Sequence, residues 1–331
     1  MDPRSQLLIR QSNLPQNILI VGAVYDDLLN ELSKAHAWCW HKGDFDKLQA
    51  KFAERCHFFA DLTSLPDFTS AVIFLPKANE LTQYLIHTLA NAFNVQEIFL
   101  VGEKRSGIAS GAKFLEEVGN PVKLDSARHC QLWQVTVTKK SNSKTNWLQE
   151  YTLGDEYGHL HIVSFPGVFA HGRLDLGTKL LLDHLDDLPA GKILDYGSGA
   201  GVITAYLAAN YPQSAIYALE VDAFACEATR LTLKANHVNA QIICSDSLQS
   251  APDNLTAIVS NPPFHAGKNT NYEIAGNLIK EAHHKLVING EFRMVINEFL
   301  PFSNSLKEVF GNAQQIDHQN GYKVWQAIKK S

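Results

Sequence analysis

No apolar run in this 331-residue sequence approaches the roughly 20 residues needed to cross a bilayer; the longest, at residues 71–76 and 98–101, stop far short. Residues 1–10 carry charges but no apolar stretch of the kind that marks a secretory leader, so a cytoplasmic protein is expected. Cysteine is scarce. Cys39, Cys56, Cys130, Cys226 and Cys244 are odd in number and contain no Cys-x-x-Cys pair, which indicates reduced thiols and neither a disulfide framework nor a zinc knuckle. The 14 histidines do not supply a metal site instead: His283 and His284 are adjacent, and His159 and His161 share a strand face without a carboxylate or cysteine set beside them. No metal is expected. Surplus positive charge is also missing. The net charge is −5; residues 1–150 carry 16 basic and 16 acidic side chains, and residues 151–331 carry 13 against 18. A protein that held nucleic acid by phosphate neutralisation alone would be basic overall, so a nucleic-acid role has to rest on local patches or on an assembled ribonucleoprotein surface.

What is present is an ordinary globular composition, 45% hydrophobic and 19% charged, long enough for two domains. A polar, aperiodic stretch divides the chain, giving expected boundaries of 1–140, a connector at 141–158, and 159–331. On both sides short β-branched runs alternate with helical patterns, the mark of βαβ units and mainly parallel sheets. In the second half, strands are expected at 192–195, 215–220, 241–244, 257–260 and 291–296. Helices are expected at 202–210, 223–236 and 274–287, with a closing hairpin at 314–316 and 322–328. The first half can be laid over the second. Ile18 to Gly22 matches Ile193 to Gly197, Val72 to Pro76 matches Ile258 to Pro262, and Leu132 to Gln134 matches Val324 to Gln326. A duplicated fold explains offsets that rise along the chain as loop insertions accumulate.

The chemistry concentrates in the second half. Asp195 stands at a strand end, followed by Gly197, Gly199 and Gly201 and then a helix. Glycines admit positive φ and let backbone N–H groups approach a ligand, and a helix N-terminus favours negative charge, so a small anionic or zwitterionic ligand fits here. A tight turn without a ligand would use the same residues, and the spacing is not the Gly-x-Gly-x-x-Gly of dinucleotide sites. The next strand ends at Glu220, whose carboxylate can take both ribose hydroxyls of an adenosine. The third ends at Asp246, placed either to bind an adenine edge or to cap a turn.

The fourth strand ends in Asn261-Pro262-Pro263-Phe264, the most specific feature of the chain. The prolines force a rigid loop with outward carbonyls. Asn261 and the Pro262 carbonyl can then accept both hydrogens of a planar amine and free its lone pair for attack on an electrophilic methyl. Phe264 offers a face for stacking on an extruded base.

Together, Asp195 to Gly201 and Asn261 to Phe264 resemble the Rossmann-type S-adenosylmethionine-dependent methyltransferases that act on planar nitrogen. The segments Phe165 to Phe169, Gly172 to Thr178, Val101 to Gly107, and Phe310-Gly311 with Tyr322 to Val324 narrow the likeness. With them, the whole chain resembles the small-subunit ribosomal RNA methyltransferase C family, guanine-N2 methyltransferases of 16S ribosomal RNA. The resemblance implies an α/β chain of two tandem Rossmann-like (class I methyltransferase) domains with mainly parallel sheets, the N-terminal copy degenerate and the second catalytic. It implies the assembled 30S subunit as substrate, S-adenosylmethionine over Gly197, Gly199 and Gly201, and Glu220 on its ribose. Asn261 and Phe264 would hold the guanine. Asp175 and Thr178 would close over the methionine end of the cofactor, although a helix start reads equally well there.

At the places matching Gly199, Gly201, Asn261 and Phe264 the first half has Val24, Asp26, Leu75 and Ala78, so it is expected to bind no cofactor. Lys77, Lys104 and Arg105 near its strand ends suggest RNA contact, the other role open to it being folding support. A monomer is expected. Adenine-N6 and protein-glutamine-N5 methyltransferases carry a similar tetrapeptide and remain alternatives, as does a non-catalytic assembly factor. A nicotinamide-dependent dehydrogenase is disfavoured by the glycine spacing and the lack of a Tyr-x-x-x-Lys pair.

Overall fold

The computed structural model describes residues 1–59, 65–92, 95–139, 146–262, 268–300 and 302–331. The chain forms two compact units, Met1–Leu148 and Gln149–Ser331. No described helix is long and apolar enough to cross a membrane.

The first unit holds a seven-stranded sheet of β1 (Ile18–Val21), β2 (His36–Cys39), β3 (Cys56–Phe58), β4 (Ser70–Phe74), β5 (Glu97–Glu103), β6 (Val122–Ala127) and β7 (Cys130–Thr136), in the order β3-β2-β1-β4-β5-β7-β6. The central strands are continuous apolar runs, as parallel strands covered on both faces must be. All four residues of β1 are fully buried, and each such side chain contributes roughly 1.5–3 kcal/mol relative to exposure.

The second unit begins with a hairpin, β8 (Gln149–Thr152) and β9 (His161–Ser164), followed by a second seven-stranded sheet. Its strands are β10 (Lys192–Tyr196), β11 (Ala215–Glu220), β12 (Gln241–Cys244), β13 (Leu255–Ser260), β14 (Leu286–Asn297), β15 (Gln314–Gln319) and β16 (Tyr322–Ile328). Their order, β12-β11-β10-β13-β14-β16-β15, repeats that of the first sheet position for position. Helices Val202–Asn210 and Ala223–Ala235 fall where the sequence pattern places them.

The repetition extends to details. Both closing hairpins carry a register shift at the same place, between Lys123 and Asp125 in the first unit and between Gln315 and Asp317 in the second. The backbone bond from Lys104 N to His129 O, 2.8 Å, has its counterpart from Glu298 N to Gly321 O, also 2.8 Å.

Two expectations need correction. The connector is shorter than 141–158: Gln149–Thr152 is a strand paired with β9, and Asp155–Tyr157 is a 3-10 turn. Residues 140–145 lie outside the described residues. The β8–β9 hairpin is fixed to the second unit by Val163 N donating to Thr232 Oγ1 (3.0 Å) and Asn236 Nδ2 donating to His161 O (2.7 Å). Four polar residues at a sheet edge carry too little apolar alternation to announce a strand.

The overlay of β4 on β13 is also displaced by one residue. Leu100 pairs with Ile73 and with Trp133, while Met294 pairs with Ser260 and with Trp325. Superposing the two tryptophans puts Ile73 on Ser260 and therefore Phe74, not Leu75, on Asn261. Buried apolar runs look alike at a slip of one residue, and only the ladder fixes the register.

Candidate active site

The carboxyl ends of β10, β11, β13 and β14 surround a cavity of about 310 Å³ beside the central strand β10, where the strand order changes direction. In open α/β sheets ligands bind at such a switch point. Gly197, Gly199, Glu220, Asn261 and Pro262 all line it, as do Asp175 and Thr178.

Gly197 and Gly199 have φ of 80° and 55°, and a Cβ on Gly199 would project into open space. Gly201 serves a different purpose. Its φ is 77°, it opens the Val202–Asn210 helix, and a Cβ there would stand 2.9 Å from Thr229 Cα, so this glycine permits close helix packing and does not line the cavity.

Asp195 is completely buried beneath the loop, its Oδ2 accepting from Thr204 Oγ1 at 2.6 Å. Burial raises its carboxyl to about 7, opposed by the Thr204 hydrogen bond and reinforced by the charge of Glu220. Glu220 is held by its neighbours' backbone: Oε1 accepts from Val221 N (2.8 Å) and Asp222 N (3.2 Å), and Oε2 from Gly199 N (2.9 Å). Oε2 keeps acceptor capacity toward the cavity. Asp222 caps the Ala223–Ala235 helix through Phe224 N (2.8 Å) and Ala225 N (3.2 Å), and burial with the Glu220 charge raises it to about 7. Glu220 and Asp175 line the cavity and give it acidic side chains that suit a positively charged ligand.

Asn261 follows β13. Its Nδ2 donates to Thr178 Oγ1 (2.9 Å) and to Asp175 Oδ2 (3.1 Å). Asp175 is also the N-cap of the Leu176–Leu182 helix, accepting from Thr178 N at 2.9 Å. The Asp175 segment starts a helix, and Asp175 and Thr178 also line the cavity. Asp246, by contrast, is exposed at the end of the edge strand β12 and is not among the described residues lining the cavity. Pro263 and Phe264 lie outside the described residues.

The sequence pattern assigns no role to Tyr151, Phe169, Arg173, Asp222 or Tyr322, all of which line the cavity. Burial and the Asp175 charge push Tyr151 up to about 12. Phe169 and Arg173 stand within segments that carry the family resemblance, whereas Tyr151 gives no signal because its strand has the composition of a connector. Among the described residues no cluster of metal-ligating side chains exists.

Comparison with known proteins decides the family. The methyltransferase small domain matches residues 159–326, and its N-terminal companion matches residues 5–151. The ribosomal RNA small subunit methyltransferase C of Pseudomonas putida strain W619 is 48% identical over 332 residues, covering 99% of this chain and 100% of that protein. This chain belongs to the ribosomal RNA small subunit methyltransferase C family. The counterpart from P. putida strain GB-1 is 49% identical, with 99% of each chain covered. A T. thermophilus 16S rRNA N2 G1207 methyltransferase, solved with AdoMet and guanosine, shares the fold over 99% of this chain and 92% of its own, at a TM-score of 0.84 and 22% identity. Members of the small subunit methyltransferase C family thus match both tandem domains here, the degenerate copy included.

Proposed function

We propose that this chain transfers a methyl group from S-adenosylmethionine to the exocyclic N2 amine of a guanine in 16S ribosomal RNA. The observation that carries the reading is that Asn261 and Pro262, the amine-holding pair, line the same cavity as Gly197, Gly199 and Glu220 in a chain of this family. The residues present fit the cofactor: Gly197 and Gly199 in a turn that lines the cavity, a carboxylate at the second strand end, and the acidic Asp175 in the same cavity, complementary to a cation. When bound, S-adenosylmethionine supplies an electrophilic methyl group on a sulfonium.

Gly197 and Gly199 would lie under it, and Glu220 would accept from its ribose. Asn261 Oδ1 and the Pro262 carbonyl accept the two amine hydrogens, draw the nitrogen away from planarity and direct its lone pair into the cavity. Phe264, which lies outside the described residues, would stack on the guanine as the resemblance implies. No strong base is required before attack: as the nitrogen–methyl bond formed, the methyl–sulfur bond would break to leave a neutral thioether, and the nitrogen would then release one proton to solvent.

The substrate is the assembled 30S subunit, met in the cytoplasm by a monomeric enzyme. The first domain contributes RNA contact through exposed cations at one end of its sheet. Lys77 follows β4, Lys104 and Arg105 follow β5, and Arg128 and His129 form the β6–β7 turn, joined to Lys104 by the backbone bond described above. None of the four lysine and arginine side chains makes an ion pair among the described residues. The matching positions of the catalytic copy are Glu298, Asn320 and Gly321 for Lys104, Arg128 and His129, so these three positions carry no basic side chain there. The test is label transfer from S-adenosylmethionine to 30S subunits lacking the modification, beside free 16S RNA. Labelled subunits support the reading, and label confined to free RNA contradicts the assembled substrate.

A further inference from the structure

The carboxamide of Asn261 can face the cavity with either its oxygen or its nitrogen, and only one orientation serves an amine. An amine substrate brings hydrogens and needs an acceptor; an Asn261 turned nitrogen-inward would oppose donor to donor. The side chain has no means of choosing by itself, because the two ends are nearly equal in shape. The choice is made by its neighbours. Asp175 is a carboxylate and, ionised, can only accept; Thr178 Oγ1 lies on the same side. Both sit within hydrogen-bond distance of one end of the carboxamide, 3.1 Å and 2.9 Å away, and a carboxylate cannot tolerate an amide oxygen at that range. That end is therefore the NH2 group, with both hydrogens engaged.

We propose that Asp175 and Thr178 are positioning residues that lock Asn261 with Oδ1 toward the substrate amine, and so restrict the site to substrates that donate there. The proposal rests on the reading of Asn261 as the amine's acceptor. The lock is itself well anchored. Asp175 Oδ2 is fixed by Thr178 N at 2.9 Å, in the first turn of the Leu176–Leu182 helix, and Thr178 is buried at 7% exposure. Among the described residues no group donates to Asn261 Oδ1. The helix start and the catalytic tetrapeptide, 83 positions apart between Thr178 and Asn261, thus form one unit. In this role the two residues act on the amine through Asn261, in place of the closure over the cofactor that the resemblance implies.

Thr178→Val is nearly isosteric and removes the acceptor; Thr178→Ser keeps it. Asp175→Ala is less informative because it also removes the helix cap. Three quantities are to be measured on the full chain: the single-turnover rate of methyl transfer at saturating cofactor and 30S subunits, the cofactor Kd by calorimetry, and hydrogen exchange of the Asn261 carboxamide by NMR of selectively 15N-asparagine-labelled protein. Thr178→Val should lower the rate by about tenfold to a hundredfold, as misorientation of a positioning group does. Its cofactor Kd should stay within about twofold, the pattern of an interaction used after binding. The Asn261 carboxamide protons, slow to exchange in the wild type, should exchange faster in the valine variant, and serine should restore both rate and protection.

An unchanged rate in Thr178→Val overturns the proposal. A loss of cofactor affinity as large as the loss of rate also overturns it, making Thr178 a cofactor ligand. A serine variant as slow as the valine one would assign the effect to shape rather than to the hydroxyl. Should the wild type label no RNA, the reading of the substrate fails separately, and carboxamide exchange, which needs no substrate, still decides the lock: unprotected Asn261 protons in the wild type contradict it.

Discussion

The ring of Trp40 lies against Gly22, so close that a Cβ on the glycine would stand 2.3 Å from Cη2. Gly22 is the counterpart of Gly197 and keeps its left-handed φ, 76° against 80°. The turn has survived while the space above it has been filled. With Ile20 in the place of Asp195, Cys39 in that of Glu220 and Phe74 in that of Asn261, the first domain retains the frame of a cofactor site but not these three polar groups. Calorimetric titration of the full chain with S-adenosylmethionine should give about one site per chain. A second site of comparable affinity would contradict this account of the first domain.

Asn261→Ala should slow methyl transfer far more than it weakens cofactor binding, because the side chain acts on the amine. Rates at saturating cofactor, set beside the calorimetric Kd, separate the two. Equal losses would place Asn261 on the cofactor instead.

Gly199 and Gly201 should fail differently. Both have positive φ, so alanine costs about 1–2 kcal/mol of strain at either. At Gly199 the added methyl enters the cavity, and cofactor affinity should fall with a modest change in Tm. At Gly201 it meets the Thr229 backbone, and Tm should fall sharply while any protein that folds still binds cofactor. Calorimetry and thermal unfolding of the two variants check the contrast; matching profiles would refute it.

The raised carboxyl of Asp195 implies a pH-dependent stability. Its folded value near 7 lies above the unfolded value near 4, so between these limits the folded chain holds a proton that the unfolded chain has released. That site therefore costs stability progressively as pH rises from about 4 to 7, at up to about 1.4 kcal/mol per unit. Asp195→Asn removes the dependence. Urea unfolding at pH 5 and pH 8 should find the variant gaining on the wild type at the higher pH; a constant difference would mean that Asp195 ionises normally.

Alanine at Lys104, Arg105 and Arg128 should weaken binding to 30S subunits and reduce its salt dependence by about one unit of slope per lost phosphate contact. Unaltered affinity and slope would leave folding support as the role of the first domain.

Much of the site is legible in the sequence because function disturbs the ordinary pattern of a chain. Alternating glycines and paired prolines at strand ends break the periodicity of their surroundings, and so Gly197, Gly199, Asn261 and Pro262 stand out by sequence pattern alone. Residues whose role depends on three-dimensional neighbours stay hidden. Gly201 reads like its companions until Thr229 is found against it, and Tyr151 has no context until β8 pairs with β9. The one-residue slip between β4 and β13 has the same origin, since apolar strands of similar composition carry no register mark of their own. Arg128 and His129 join the basic end of the first sheet only because a hairpin returns them to Lys104.

The most direct measurement is the identity of the methylated product. Purified chain, labelled S-adenosylmethionine and 30S subunits lacking the modification are incubated, the RNA is digested to nucleosides, and the labelled nucleoside is identified. N2-methylguanosine is the predicted result. Label in N6-methyladenosine, or on protein with none on RNA, would contradict it.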